Sequence, residues 1–306
     1  MNNRFVVVMG SYVADVAFRT GKLPAWGETY MGNEFKLGPG GKGSNQAVAA
    51  ARAGARVSFI SKLGLDAFGD MARTMYREEG IDTTHLLETD SATGAAAIII
   101  DAVKGENAII VVPGACFELT RHEVEQARDL IANALIFVTQ LELSLPTVEY
   151  GLALAHSLGV PTILNPAPGC KLPDTIFQHC DYITPNESEA ELLTGIRVTS
   201  LANAELAADV LLGRGVRNAV ITLGAQGALV RNVTTCQHVP AFCAGEVIET
   251  TGAGDAFNGG FAVALAEDKD IVQAARFGCA VAGISVTRPG TAPSMPSRRE
   301  VDDLLK

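Results

Sequence analysis

Residues 249–260 read Glu249-Thr250-Thr251-Gly252-Ala253-Gly254-Asp255-Ala256-Phe257-Asn258-Gly259-Gly260, a run of small residues leading into a helix-forming segment. Such a start leaves free amides at a helix N-terminus, where they and the helix dipole can gather an anion. Asp255 falls in the first turn. A carboxylate there is ordinarily a cap or a partner of the dipole. It can also take a proton from an attacking hydroxyl while the amides hold a transferring phosphoryl group. Four small residues directly ahead of Asp255 are more than a cap requires.

Upstream of this turn, helical and apolar extended segments alternate. Helices are expected over 121–132, 146–157, 187–194 and 202–213, and strands over 134–140, 160–165, 181–184 and 219–223. Two further helices follow, over 254–266 and 270–286. This alternation predicts a mostly parallel sheet with helices on both faces. Nearer the start, residues 4–10 form an apolar run ending in Gly10, the pattern of a buried strand. An Ala-rich helix closes at Gly54, a strand spans 56–63 and a helix spans 67–79. Residues 12–36 differ, being rich in Gly, Pro and charge, with short strands at 15–19 and 28–36. Strands at 94–101 and 108–112 join around Lys104-Gly105-Glu106 as a hairpin. Together these pieces predict one large α/β domain over 1–306 with a small β lid from about 12–36 and 94–112. Ligands of such sheets bind beyond the carboxyl ends of the strands.

Composition narrows the function classes. Of 306 residues 48% are apolar and 19% charged, as in a packed globular protein. The net charge of −10, without Lys/Arg stripes, argues against a nucleic-acid partner. The six cysteines form no C-x-x-C and no zinc spacing, which suits reduced thiols in the cytoplasm. The N-terminal apolar run is too short for a signal peptide or a membrane span, so no membrane partner is expected.

Two glycine patterns need sorting. Gly38-x-Gly40-x-x-Gly43 matches a dinucleotide fingerprint in letters, but Asn33-Glu34-Phe35-Lys36-Leu37 is not the apolar strand such a fingerprint follows. Lys42 is followed by Gly43 rather than Ser or Thr, so there is no Walker A loop. Phosphate must then be held by the turn at 252–255.

The GAGDAFNGG segment resembles the signature of the ribokinase (PfkB) carbohydrate-kinase family. Three more motifs share the resemblance: Gly40-Gly41-Lys42-Gly43-Ser44-Asn45-Gln46-Ala47, Thr184-Pro185-Asn186-Glu187-Ser188-Glu189 and Thr222-Leu223-Gly224-Ala225-Gln226-Gly227. They occur in family order, and the similarity spans essentially the whole chain. It implies a three-layer α/β/α fold and an ATP-dependent kinase acting on a primary hydroxyl of a small sugar. D-ribose is the first expected substrate. Deoxyribose, a ketohexose or a nucleoside are the alternatives, and a sugar-binding sensor without catalysis is the different class.

The resemblance also implies roles. Asp255 is the base, and Gly252, Ala253 and Gly254 belong to the anion hole. Asp15, Gly41, Lys42, Gly43, Asn45 and Glu142 contact the sugar. Asn186, Thr222, Gly224, Gly227, Gly254 and Cys279 face ATP. Asn186 and Glu189 organise Mg2+, mostly through water. Glu249, Thr251, Val286, Gly290 and Ser294 surround a monovalent cation such as K+. Spacing alone leaves Asn186 and Glu189 equally readable as a capping box, and Gly224 and Gly227 as hairpin glycines. A homodimer through the lid is expected. Three positions depart from the family pattern: Val13 replaces a ribose-contacting Asn, Glu249 replaces an Asp, and Cys279 replaces a His near the adenine.

Overall fold

Successive side chains of a strand point to opposite faces, so a strand apolar at every position needs a helical layer on each side. The computed structural model, which describes residues 5–102 and 107–306, shows this at its first strand. In β1 (Phe5–Met9), Val6 and Val8 enter one core while Phe5, Val7 and Met9 enter the other. The remaining strands are β2 (Val13–Thr20), β3 (Glu34–Gly40), β4 (Arg56–Gly64), β5 (Leu86–Thr89), β6 (Thr93–Asp101), β7 (Asn107–Gly114), β8 (Ile136–Thr139), β9 (Thr162–Leu164), β10 (Tyr182–Ile183), β11 (Asn218–Thr222), β12 (Ala228–Arg231) and β13 (Cys236–Val239).

Nine of them form one sheet in the order β13-β12-β11-β10-β9-β8-β1-β4-β5. From β11 to β5 every pairing is parallel, and β12 and β13 add an antiparallel hairpin at the edge. One face is covered by helices Lys42–Arg52, Ala67–Glu78, Ala253–Ala266, Ile271–Ser285 and Arg298–Leu305. The other is covered by Arg121–Gln126, Leu145–Ser157, Glu187–Thr194 and Leu201–Gly213. This is the three-layer arrangement the alternating pattern predicted. No helix among the described residues is long and apolar enough to cross a membrane.

The other four strands make a separate sheet, β3-β2-β6-β7, with β2 and β6 parallel. Its register sorts the faces. Val13 and Asp15 share one face with Ala96, Ile98, Ile109 and Val111. Phe18, Phe35, Leu37, Ile110 and Val112 share the other.

Several boundaries differ from the sequence expectation. The second lid strand runs over Glu34–Gly40 rather than 28–36, so it includes Gly38, Pro39 and Gly40. A strand therefore does lead into the Gly-rich segment, but it lies antiparallel in the small sheet while the strand after the next helix, β4, lies in the large one, so β3 opens no βαβ unit. The helix expected over 121–132 breaks at Ala127 into Arg121–Gln126 and Arg128–Ala132. β5, the β12–β13 hairpin and the C-terminal helix were not foreseen. The proposed turn at Lys104-Gly105-Glu106, and Arg4 of the first strand, lie outside the described residues.

Helix Ala253–Ala266 is fixed by close packing. Phe261 is fully buried, stacked on Phe257 and edge-on to Tyr182. Burying such a ring contributes about 1.5–3 kcal/mol. A Cβ on Gly259 would fall 2.5 Å from Ala49 Cβ and 2.8 Å from Gln46 O, so only glycine lets this helix lie against Lys42–Arg52. That contact brings Asn45 and Gln46 to Asp255.

Candidate active site

Asp255 sits in the first turn of its helix and is 6% exposed. Gly252, just ahead, has φ 81°, a left-handed conformation that a side chain disfavours. The turn is closed by Ala253 N donating to Thr250 O and Ala256 N donating to Gly252 O. Among the described residues the amides of Gly252, Gly254 and Asp255 have no protein acceptor, and Gly254 is exposed. The carboxylate of Asp255 accepts Asn45 Nδ2 on Oδ2 (3.0 Å) and Gln46 Nε2 on Oδ1 (3.0 Å).

Around this point stand the other polar residues named from the sequence. Gly41, with φ 88°, precedes helix Lys42–Arg52. The Lys42 amide donates to Glu142 Oε2 (2.9 Å), and Ser11 Oγ donates to the same oxygen. Burial pulls the Lys42 ammonium down, but the carboxylates of Asp255, Glu142 and Glu189 push it up, and the net lies above the usual lysine range. Asp15 is pushed up to about 6. Burial does most of this, the Thr291 hydroxyl opposes it, and Glu142, Asp255 and Glu249 reinforce it. Thr291 Oγ1 lies 3.4 Å from Asp15 Oδ2 and 3.1 Å from Pro39 O. Val13 shares the face of Asp15, is 2% exposed and belongs to neither large core.

Asn186 and Glu189 form a capping box: Asn186 Oδ1 accepts Glu189 N (2.9 Å), and Glu189 Oε2 accepts Asn186 N (2.9 Å). Of the two readings left open by spacing, the cap is therefore realised, leaving Glu189 Oε1 for another partner. Burial raises the Glu189 carboxyl, the Asn186 amide and Lys42 lower it, and the net lies above the ordinary range. Thr222 N donates to Pro185 O (2.9 Å), so the β11 end lies beside the Asn186 turn. Gly224 and Gly227 carry the chain from β11 into β12, as hairpin glycines do. Cys279 is buried in helix Ile271–Ser285, and burial pushes its thiol up to about 12.

The segment before Gly252 is tied to the one after Ser285. Glu249 Oε2 accepts Gly290 N (2.8 Å), and Val286 O accepts the amides of Ile248 (2.8 Å) and Glu249 (3.2 Å). Ser294 Oγ donates to Thr291 O (2.7 Å), and Thr251 is exposed. Among the described residues no group of three His, Cys, Asp or Glu could hold a metal ion.

A buried hydrogen-bond chain joins three of the four motifs. Gln140 Nε2 donates to Gln46 Oε1 (2.7 Å), and Gln46 Nε2 donates to Asn165 Oδ1 (3.0 Å) as well as to Asp255. Asn165 Nδ2 donates to Thr184 O (3.1 Å), Thr184 Oγ1 to Asn258 Oδ1 (2.6 Å), and Asn258 Nδ2 to Gly254 O (2.8 Å). Sequence alone assigned no role to Gln46, Gln140, Asn165, Thr184, Ser11 or Thr291. Gln46 and Thr184 did lie inside the family motifs, and Gln140 two residues before Glu142. Asn165 had only its place at a strand end as a signal.

Known proteins resemble the chain over nearly its whole length. A family model, pfkB family carbohydrate kinase, matches residues 3–298. A ribokinase of Haemophilus influenzae is 41% identical over 98% of each chain. A deoxyribokinase of Salmonella typhi is 35% identical, again over 98% of each. The solved structure of Arabidopsis thaliana ribokinase complexed with ribose and ATP superposes with a TM-score of 0.93 at 29% identity, covering 100% of this chain and 99% of that one.

Proposed function

Since this chain belongs to the pfkB family of carbohydrate kinases and is a sugar kinase, we propose that D-ribose is its acceptor, phosphorylated by ATP at the primary hydroxyl with Asp255 as the base. The observation that carries this reading is Asp255 held between two amide donors beside three amides without acceptors. As the hydroxyl oxygen attacks the γ-phosphorus in line, its proton passes to Asp255 and ADP leaves. The amides of Gly252, Gly254 and Asp255 meet the charge spread over the phosphoryl oxygens. Asp15, Glu142, Asn45 and the Gly41–Gly43 backbone orient the sugar. The small sheet, its Ile98, Ile109 and Val111 on the Asp15 face, closes over the sugar and excludes water.

Asp255, Glu142 and Glu189 all act on one ammonium, that of Lys42, and Asp15 adds a further carboxylate beside Glu142 and Asp255. Phosphates entering such a site need further positive charge. Mg2+ keeps several waters and takes one or two carboxylates plus phosphate oxygens, which suits the free Glu189 Oε1. When bound it would neutralise phosphate charge. Thr222, Gly224, Gly227 and Cys279 form the ATP side of the reading. For K+ the residues fit incompletely: Val286 O already accepts two amides and Glu249 is bonded to Gly290. A homodimer through the Phe18 face of the small sheet and a cytoplasmic setting complete the proposal.

One residue favours a second acceptor. Val13, on the Asp15 face, offers no hydrogen bond where ribose hydroxyls are read. A site without that group lifts the penalty on deoxyribose, and polar pocket groups discriminate strongly. An ADP-release assay over pentoses, ketohexoses and nucleosides, with and without potassium, separates the readings. D-ribose should show the highest kcat/KM, and Val13→Asn should raise the ribose-to-deoxyribose ratio. A nucleoside or hexose leading the panel removes the ribose assignment. No ADP release with any acceptor removes the kinase site.

A further inference from the structure

Behind Asp255 lies a row of carboxamides that the kinase reading leaves without a task. Gln46 and Gln140 are fully buried, and Asn165, 6% exposed, has its amide oxygen bonded to Gln46 and its nitrogen to Thr184. Their directions are fixed by elimination. An ionised carboxylate only accepts, so Gln46 must turn Nε2 toward Asp255 Oδ1 (3.0 Å). The same nitrogen donates to Asn165 Oδ1 (3.0 Å), and Asn165 cannot turn over because its Nδ2 donates to Thr184 O (3.1 Å). Gln46 Oε1 is held by Gln140 Nε2 (2.7 Å). Turning Gln140 over would set two carbonyl oxygens against each other. In its present direction Gln140 leaves its own Oε1 without a partner, so this direction serves Gln46. Asn45, on the other side of Asp255, also presents Nδ2 to the carboxylate (3.0 Å), but nothing holds its Oδ1. One side of the carboxylate is thus backed by a chain of amides and the other by Asn45 alone.

We propose that Gln140 and Asn165 act through Gln46 as positioning residues for the base. They lock Gln46 as a one-way donor, which fixes the plane of Asp255 and presents an Oδ2 lone pair to the acceptor hydroxyl. The inference rests on Asp255 being the base. In the step so arranged, the hydroxyl proton goes to Oδ2 and the alcohol oxygen bonds to phosphorus. The bridging P–O bond breaks, with its electron pair leaving on ADP.

The test uses the full chain with two variants of Gln140, which is fully buried. Gln140→Leu removes the donor that anchors Gln46 Oε1, so Gln46 and the carboxylate it holds lose their support from behind, and kcat should fall about 10- to 100-fold, as for a misplaced reacting group. Sugar affinity, read by titration, should stay within about threefold, since no sugar contact is lost. Gln140→Glu keeps the shape. An ionised Glu at 140 only accepts, so it draws Gln46 Nε2 away from Asp255, whereas a protonated one donates as Gln does. The ratio of its kcat to that of the native chain should therefore rise as pH falls from about 8 to about 6. Asp15, Lys42, Glu142 and Glu189 act electrostatically in the same site, so the native chain is the reference at every pH.

A Gln140→Leu kcat within about twofold of native overturns the proposal. So does a joint loss of kcat, sugar affinity and melting temperature, or a Gln140→Glu ratio that is flat with pH. Asp255→Asn separates the two layers: if it stays active the base reading fails, and if it is inactive while both Gln140 variants match the native chain, only the positioning role fails.

Discussion

Asp255→Asn removes one charge and almost no volume, and the hydrogen-bond directions around the side chain determine its effect. The present carboxylate accepts from both Asn45 and Gln46. An Asn has a single acceptor. Gln46 is locked by Gln140 and Asn165, so it claims that oxygen, and the new NH2 faces Asn45 Nδ2. A buried donor stranded in this way costs about 1–3 kcal/mol. Asn45, however, carries an unpaired Oδ1, and turning its amide over gives the new NH2 an acceptor while Asn45 Nδ2 takes the unpaired place, so no further group is stranded. Loss of one negative charge beside Asp15 and Glu189 acts in the same favourable direction. The fold should therefore lose no more than about 1 kcal/mol, a melting shift of about 2–4 °C. Turnover should fall about 10²- to 10⁴-fold, the usual range for a lost general base. That corresponds to about 2.7–5.5 kcal/mol of barrier. Calorimetry, sugar titration and coupled ADP release on one preparation measure all three quantities. Turnover within about tenfold of native would refute the base assignment. A melting loss beyond about 8 °C would refute the flip that spares the fold.

Asp15 gives a pH prediction with a definite sign. Its pKa is raised from 3.8 to about 6 in the folded chain, so the folded state takes up a proton there more readily than the unfolded one. Its contribution to folding is fully present below 3.8 and is lost as pH rises through about 6. For the sugar the direction is opposite: only the ionised carboxylate accepts two hydroxyls, so KM should rise below pH 6 while kcat holds, and Asp15→Asn should abolish that limb. The exposed apolar face of the small sheet gives the last prediction. Ile110, 67% exposed beside Val112 and on the same face as Phe35 of the opposite edge strand, should anchor a homodimer, so Ile110→Glu should yield monomers in sedimentation at micromolar concentration. A native chain that sediments as a monomer removes the dimer.

What the sequence disclosed depended on the strength of its local signals. Long amphipathic or Ala-rich segments such as Lys42–Arg52 and Ala253–Ala266 were placed within a residue or two. The β12–β13 hairpin was missed because an edge strand with Cys236, Gln237 and His238 exposed shows no apolar run. The break at Ala127 arises within one helical pattern, between Gln126 and Arg128, and has no Gly or Pro to announce it. In the site, residues with a charge or a glycine signal were found. Gln46, Gln140 and Asn165 were not, because a buried amide differs from an exposed one only through partners far away in the chain. The capping box at Asn186 and Glu189 shows the converse: local spacing described it correctly while leaving its second duty open.

The bonds from Gln46 to Asn165 and to Asp255 close loops of 119 and 209 residues. Closing such distances is slow compared with forming a helix, and it gives no return until the intervening sheet exists. The base therefore acquires its geometry late in folding. A nascent chain that has not yet emerged past Asn258 lacks the residues that complete it, so premature phosphoryl transfer by unfinished protein is excluded by topology alone.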